Sequence, residues 1–145
     1  MYLMARGFSL PELAVAVTVA ALLLALGLPR LAGLLDWVAA DRAAREVTTA
    51  LAVARAAAVM WGTRARLTIA GDTLRIDRWE GSEWQPYHRW PGPTTQGVTL
   101  EVSNPEVVFG PTGLGWGASN TRVVLRRGSH TETITTSRLG RVKRW

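Results

Sequence analysis

The stretch Arg6-Gly7-Phe8-Ser9-Leu10-Pro11-Glu12-Leu13 decides how the rest of this 145-residue chain is interpreted. It places a carboxylate, Glu12, at the start of a run that stays uncharged as far as Pro29. An ionised carboxylate in an apolar environment costs several kcal/mol unless another group pairs with it. The sequence therefore predicts that Glu12 has a charged partner.

The uncharged run from Leu13 to Pro29 predicts a membrane segment. Together with residues 8–10 it approaches the roughly 20 apolar residues that span a bilayer. Hydropathy alone leaves two general interpretations open: a removable secretory signal peptide, with Arg6 in its basic region, and a plain single-span anchor. A signal peptide, however, needs neither an acid at the head of its apolar stretch nor a Gly-Phe pair after a short basic leader.

The segment GFSLPELAVAVTVAALLLALGLP resembles the N-terminus of type IV prepilins and type II secretion pseudopilins, whose signal has the pattern G, F, S/T, L, x, E. The resemblance implies that a prepilin peptidase removes residues 1–7 as a leader by cutting after Gly7, and methylates the new amino terminus at Phe8. It also implies that Glu12 meets the terminal ammonium of a neighbouring subunit during filament assembly, which supplies its partner. Pro11 departs from the commoner aliphatic residue, but it falls in the first helical turn, where proline is tolerated.

After Pro29 the pattern remains helical and becomes amphipathic. Gly62, directly after Trp61, is expected to end the helix. We therefore predict one long helix, with residues 8–29 in lipid or in a filament core, residues 30–62 packed on a globular head, and a kink or a locally melted turn at Pro29. The apolar positions that recur at spacings of three and four are Leu31, Leu34, Leu35, Val38, Val47, Leu51, Ala54 and Ala58.

Residues 63–145 are expected to form a β-rich head. The runs RLTIA, TLRIDRW and WQPYHRW predict a three-stranded meander, and VTLEV, EVVF, TRVVLRR, ETITT and RVKRW predict further strands. A helix followed by strands indicates an α+β architecture, here a long N-terminal helix packed on an antiparallel sheet. This half resembles the GspH/FimT group of minor pseudopilins in WQPYHRWPGP, in GVTLEV, in residues 109–113 and in the final strand that opens at Gly140.

The sequence contains no set of residues that indicates catalysis or a bound cofactor. It has no cysteine, which excludes disulfides, thiolate metal sites and cysteine nucleophiles. His88 and His130 stand apart from acidic clusters, and no triad of nucleophile, base and orienting group can be assigned. The glycines from Gly113 to Gly117 lack the spacing of a phosphate-binding loop. We therefore predict a protein that is not an enzyme and that holds no metal or cofactor.

An aromatic cluster leaves two interpretations open. Trp79, Trp84 and Trp90, with Tyr87 and Arg89, are suited to a stacking platform for single-stranded nucleic acid. The same residues are also typical of cross-strand packing within a small sheet.

The net charge of +6 lies entirely in the last 24 residues, because the charges before Arg122 cancel. If RVKRW is a strand, Arg141 and Lys143 share one face with Trp145, with the two cations roughly 6.6 Å apart. That spacing suits contacts to successive backbone phosphates, which are independent of sequence and sensitive to salt. The basic tail thus predicts a phosphate-binding patch.

Further cations are expected to widen this patch. They are Arg138, in the preceding turn, and Arg122 or Arg126, on a neighbouring strand, while Arg144 adds a cation that is expected on the opposite face of the last strand.

The run Gly140-Arg141-Val142-Lys143 resembles a Gly-Arg-x-Arg motif near the C-terminus of FimT-type pilins from naturally transformable bacteria, where the motif is tied to DNA binding. Lys143 departs from that motif, since lysine attracts phosphate but lacks the planar bidentate fork of arginine. Alternatively, the basic tail solvates an exposed sheet edge and limits aggregation.

Together these features predict a minor pilin or pseudopilin of a type IV pilus or a type II secretion filament. The expected partners are other pilin subunits, the prepilin peptidase and the inner membrane, with the head in the periplasm before assembly. DNA is a candidate ligand, in natural transformation. Two alternatives are a type II secretion pseudopilin that serves protein export without DNA, and an unrelated single-span or secreted protein.

Overall fold

The computed structural model describes residues 9–145, in which one long helix precedes eight strands. The part before Asp36 and the unit Asp36–Trp145 are two compact units. A short 3-10 turn, Pro93–Gln96, follows the third strand. The main elements are α1 (Leu10–Trp61), β1 (Ala65–Ile69), β2 (Thr73–Glu80), β3 (Glu83–Pro91), β4 (Thr99–Val102), β5 (Glu106–Phe109), β6 (Thr121–Arg127), β7 (His130–Thr136) and β8 (Val142–Arg144).

The part of α1 before Asp36 is almost entirely exposed. It contains an apolar window long enough to cross a membrane, and none of that window is buried. The helix is continuous through Pro29, so the locally melted turn that the sequence suggested at this proline is absent.

The helix ends where the sequence predicted. Gly62 adopts φ 61°, a left-handed conformation that glycine enters without a steric penalty. Its N–H donates to Val59 O at 3.2 Å, and Thr63 N–H donates to Ala58 O at 3.3 Å. These two bonds form a Schellman cap, which satisfies carbonyls of the last turn and turns the chain into β1.

The strands form two antiparallel sheets of four strands each. The first has the order β3-β2-β1-β5, so the predicted meander is confirmed and β5 adds to its free side. The second has the order β4-β6-β7-β8. The last run, RVKRW, pairs with β7 along its length. Val142–Arg144 forms the strand β8 itself. On either side of it, Arg141 makes a backbone hydrogen bond with Ser137, and Trp145 makes two with Thr133.

Both sheets bury their inner faces against the second half of α1. Val47, Leu51, Ala54 and Ala58 are fully buried, as the amphipathic pattern predicted. Leu31, Leu34, Leu35 and Val38 belong to the same pattern but are exposed in this structure. An apolar stripe specifies an apolar neighbour, and it does not specify which chain supplies it.

The unit Asp36–Trp145 contains its own core and its own ion pairs. The core joins helix alanines to large side chains from both sheets, among them Phe109, Leu125 and Ile134. Arg127 at the end of β6 donates from Nε to Asp36 Oδ1 at 2.9 Å, so the first residue of the unit is already fixed to a strand. A fragment that begins shortly before Asp36 therefore retains every contact of this core and is expected to fold as a separate domain.

Candidate nucleic-acid interface

The processing and assembly residues lie near the start of the chain. Gly7 and Phe8 fall outside the described residues. Glu12 lies in the first turn of α1, where Leu13 N–H donates to Ser9 O at 3.0 Å, and its side chain is exposed. Within residues 9–145, Glu12 makes no ion pair, so the partner that its position demands is not in this part of the chain.

The outer face of the second sheet carries a row of side chains in register across three strands. Arg122 on β6 pairs with Thr135 on β7, and Thr135 pairs with Lys143 on β8. Neighbouring strands lie about 4.8 Å apart, so the backbone positions of Arg122 and Lys143 are separated by roughly 10 Å, with Thr135 between them. Both cations are exposed, and neither forms an ion pair within residues 9–145.

Arg141 and Arg138 are placed by a tight turn between β7 and β8. Ser137 N–H donates to Arg141 O at 3.0 Å, and Gly140 N–H donates to Ser137 O at 2.9 Å. Gly140 has φ 71°, which makes glycine the natural residue at this point. The carbonyl of Arg138 accepts from Gly115 N–H at 2.7 Å, while both arginine side chains remain exposed. The turn thus holds its backbone in place and leaves its cations to solvent.

A shallow cleft of about 280 Å³ lies beside Arg141 and Lys143. The sequence did not predict the polar residues that line this cleft. Asn120 and Ser137 lie in loops, and only the folded chain brings them next to β8. The alternation in TETITT was a usable signal for Thr135, but only the strand register shows that it stands beside Lys143. The residues that line the cleft are Asn120, Thr135, Thr136, Ser137, Arg141 and Lys143.

Arg144 lies on the inner face of β8, opposite to Lys143, as the alternation predicted. Its guanidinium donates to Asp41 on α1, and its Nε donates to Glu132 Oε2 at 2.8 Å. Hydrogen bonding to Glu132 and Asp41 raises the pKa of Arg144 above its usual range. Hydrogen bonds from Arg144 and Arg45 in turn hold the pKa of Asp41 below its ordinary value. Arg144 is therefore engaged in structural ion pairs.

Arg126 lies on the outer face but away from Arg141 and Lys143. Its Nη1 contacts Glu101 Oε1 on β4 at 2.7 Å, and both side chains are more than half exposed. An exposed pair of this kind is weak, so it can exchange for another anion. Of the six basic residues that the sequence suggested, the structure brings together Arg122 and Lys143 in the row, and Arg141 and Lys143 on one cleft. Arg138 is exposed in the adjoining turn, and Arg126 and Arg144 do not join the group.

The aromatic cluster on the first sheet packs within the protein. Trp79 and Trp84 are directly paired across β2 and β3, with ring centroids 5.0 Å apart in edge geometry. The guanidinium carbon of Arg64 stands 4.1 Å from the Trp79 ring, and that of Arg66 stands 4.6 Å from the Trp84 ring. Arg66 also contacts the buried carboxylate of Asp77 at 2.9 Å. One face of each of these two rings is thus already in contact with a guanidinium.

The remaining aromatic residues behave in the same way. Tyr87 packs edge-on against Trp61 at 4.5 Å, and Trp90 packs against His88 at 4.2 Å. These aromatic contacts favour the cross-strand packing interpretation over a stacking platform.

Among residues 9–145 no three His, Asp or Glu side chains are grouped as a metal site would require.

An apolar N-terminal helix whose second half packs on antiparallel sheets defines a pilin-like subunit. The family described as type II transport protein GspH matches residues 43–140, and the chain belongs to this family. No curated protein sequence matches the chain. It is thus a structural subunit of the minor pilin or pseudopilin type, a family whose members assemble with other pilin subunits.

Solved structures show the same fold. The type IV minor pilin FimU of Pseudomonas aeruginosa PAO1 aligns with a TM-score of 0.61 and 16% identity, over 72% of this chain and 86% of its own. The minor pseudopilin EpsH from the type 2 secretion system of Vibrio cholerae aligns with a TM-score of 0.59 and 13% identity, over 73% of this chain and 95% of its own. At these identities the likeness concerns the fold.

Proposed function

We propose that this chain is made as a prepilin, cut after Gly7 and methylated at Phe8 by a prepilin peptidase. It is then held in the inner membrane by α1, with the head in the periplasm, until it is built into a filament as a structural, non-catalytic subunit. The support is the sequence GFSLPE at the start of an exposed apolar helix.

Assembly is driven in this proposal by Glu12. Its carboxylate stands one helical turn into the apolar segment and makes no ion pair within residues 9–145. In lipid such a carboxylate is disfavoured, and the ammonium of Phe8 on a neighbouring subunit relieves that cost. Pairing between chains then favours the filament over the isolated membrane subunit.

We further propose that the filament subunit binds DNA through the outer face of its second sheet. The observation that carries this is the register of Arg122, Thr135 and Lys143, which sets two exposed cations on either side of a hydroxyl next to Arg141. Cations at such spacings contact phosphates of one backbone, and hydroxyl and amide groups add hydrogen bonds without reading sequence. The role suited to this chemistry is DNA capture during uptake by a type IV pilus.

A gel-retardation assay on residues 31–145 tests this proposal, with short duplex DNA at two salt concentrations. We expect retention that weakens with salt, and loss of retention in the double variant Arg141→Ala, Lys143→Ala. The matched control is Arg42→Ala with Arg89→Ala, which removes the same charge from other surfaces. Equal retention by both double variants would refute the patch.

A second candidate function is that of a type II secretion pseudopilin whose head meets other pseudopilins or exported proteins and does not bind DNA. The match to the GspH family model favours it. Absence of retention at low salt, in a fragment with an intact fold, would select this function.

A further inference from the structure

An apolar groove of about 640 Å³ lies between the exposed side of α1 and the segment that leads into β8. Its floor includes the fully buried Leu51, and the helix side rises to Val59 and Met60, which are 51% and 81% exposed. The exposed Leu139 comes directly before this segment. The residues that line the groove are Leu51, Ala52, Arg55, Ala56, Val59, Met60, Gly140, Arg141 and Val142.

The groove runs beside an open sheet edge. β8 is the last strand of its sheet and pairs only with β7. Trp145 exchanges both backbone hydrogen bonds with Thr133, at 3.2 and 2.9 Å. In an antiparallel pair such residues alternate with residues whose N–H and C=O point away from the partner strand. The backbone groups of Val142 and Arg144 therefore point outward, and an added strand would find donors and acceptors there.

The charged side chains that line the groove have one sign. Arg55 and Arg141 line it, and no Asp or Glu does so. Arg55 donates from Nη1 to Gly140 O at 3.3 Å, and it forms no ion pair with a carboxylate in the described part of the chain. Lys143 stands on the same face of β8 as Arg141. A partner that covers the groove therefore meets apolar surface with a basic border.

We propose that an extended segment of another protein adds to the open edge of β8 and covers this groove. Because side chains alternate along a strand, one side of the added segment faces the groove, and the other lies on the face of the sheet that carries Lys143. The segment that fits has alternating apolar and acidic side chains, the apolar ones in the groove. A second copy of this chain fits poorly, because its own net charge is +6.

The probe is a fluorescent peptide with the sequence EVEIEVE, acetylated and amidated, titrated with residues 31–145 and followed by anisotropy. We expect this peptide to bind saturably. The charge-reversed peptide KVKIKVK is expected to bind with an affinity at least tenfold lower. Methylation of alternate backbone nitrogens of the peptide is expected to abolish binding, since it removes strand pairing and retains the side chains. Equal binding of the two charge forms, or full binding of the methylated peptide, would overturn the proposal.

Two variants locate the binding on the protein. Ala56→Glu places a charge in the groove on an exposed helical position and is expected to weaken binding at least tenfold. Thr49→Glu places the same charge on the same helix outside the groove and is expected to leave binding unchanged. Circular dichroism establishes that both variants are folded. Unchanged peptide binding by Ala56→Glu would contradict the proposal. So would self-association of the fragment in the absence of peptide, if Ala56→Glu removed it. The proposal does not depend on DNA binding.

Discussion

Arg144 in the last strand and Asp41 in the helix are hydrogen-bonded across 103 residues of sequence. The contact ties the C-terminal strand to the helix, and Glu132 on β7 completes it at 2.8 Å. It also divides the basic C-terminus into two parts. The inner cation stabilises the head, and the outer cations, Arg141 and Lys143, remain exposed to solvent.

We expect Arg144→Ala to lower the Tm of residues 31–145 by about 4 °C, because two acids on neighbouring elements lose their shared cation. Arg126→Ala, which breaks a more exposed pair, is expected to change it by about 1 °C at most. Thermal unfolding followed by circular dichroism measures both. Equal shifts would show that Arg144 has no special structural role.

The Asp41 carboxylate makes this stabilisation depend on pH. Its pKa in the folded head lies below its ordinary value, because Arg144 and Arg45 donate hydrogen bonds to the charged form. Its contribution is therefore complete at neutral pH and is lost as the pH falls below about 4. We expect Asp41→Asn to lower the Tm at pH 7, and the difference from the unaltered head to narrow near pH 3. A difference that stays constant over this range would contradict the assignment.

The salt dependence of DNA binding separates the two faces of β8. The slope of log K against log salt is negative, and each phosphate contact that is lost reduces its magnitude by about 0.9. Arg122→Ala is expected to reduce the magnitude by about that amount, since Arg122 lies in the same row as Lys143. Arg144→Ala is expected to leave the slope unchanged. The reverse result would place the DNA on the inner face.

Replacement of Glu12 tests assembly apart from binding. Glu12→Ala removes the carboxylate and lengthens the apolar segment, so we expect normal membrane insertion and a severalfold loss of incorporation into filaments. Glu12→Gln, which keeps the shape of the side chain, is expected to behave like the alanine variant.

Mass spectrometry of the mature protein supplies the companion measurement, with a methylated Phe8 expected at its start. Normal incorporation of Glu12→Ala into filaments would contradict the role of this acid.

Close backbone packing at Gly92 gives a prediction for the fold. A Cβ at this position would collide with Gly71 O and Thr73 N, which are backbone atoms of the connection from β1 to β2. Gly92→Ala is therefore expected to destabilise the head by about 2 kcal/mol, measured by urea unfolding. Gly33→Ala is the matched control, because a Cβ there has no neighbour within 4 Å. Equal stability of the two variants would contradict this packing.

Local patterns made much of this structure predictable. The spacing of Val47, Leu51, Ala54 and Ala58 indicated the buried helix face, and the turn residues separated the strands correctly. The alternation in RVKRW also placed Arg141 and Lys143 on one face and Arg144 on the other. Such patterns depend only on the repeat of a helix or a strand, which each segment has by itself.

Contacts between distant segments were not predictable in this way. The division of the strands into two sheets, the pairing of Arg144 with Asp41, and the row from Arg122 to Lys143 all depend on which strands become neighbours.

By itself, the sequence determined the apolar N-terminal helix with its lone acid, the order of helix and strands, and the concentration of positive charge at the C-terminus. Only the tertiary structure decided which of those charges are neutralised and which remain exposed. The physical reason is that a charge is paired by groups close to it in space, and the carboxylates that neutralise Arg144 come from a helix and a strand that only folding brings together.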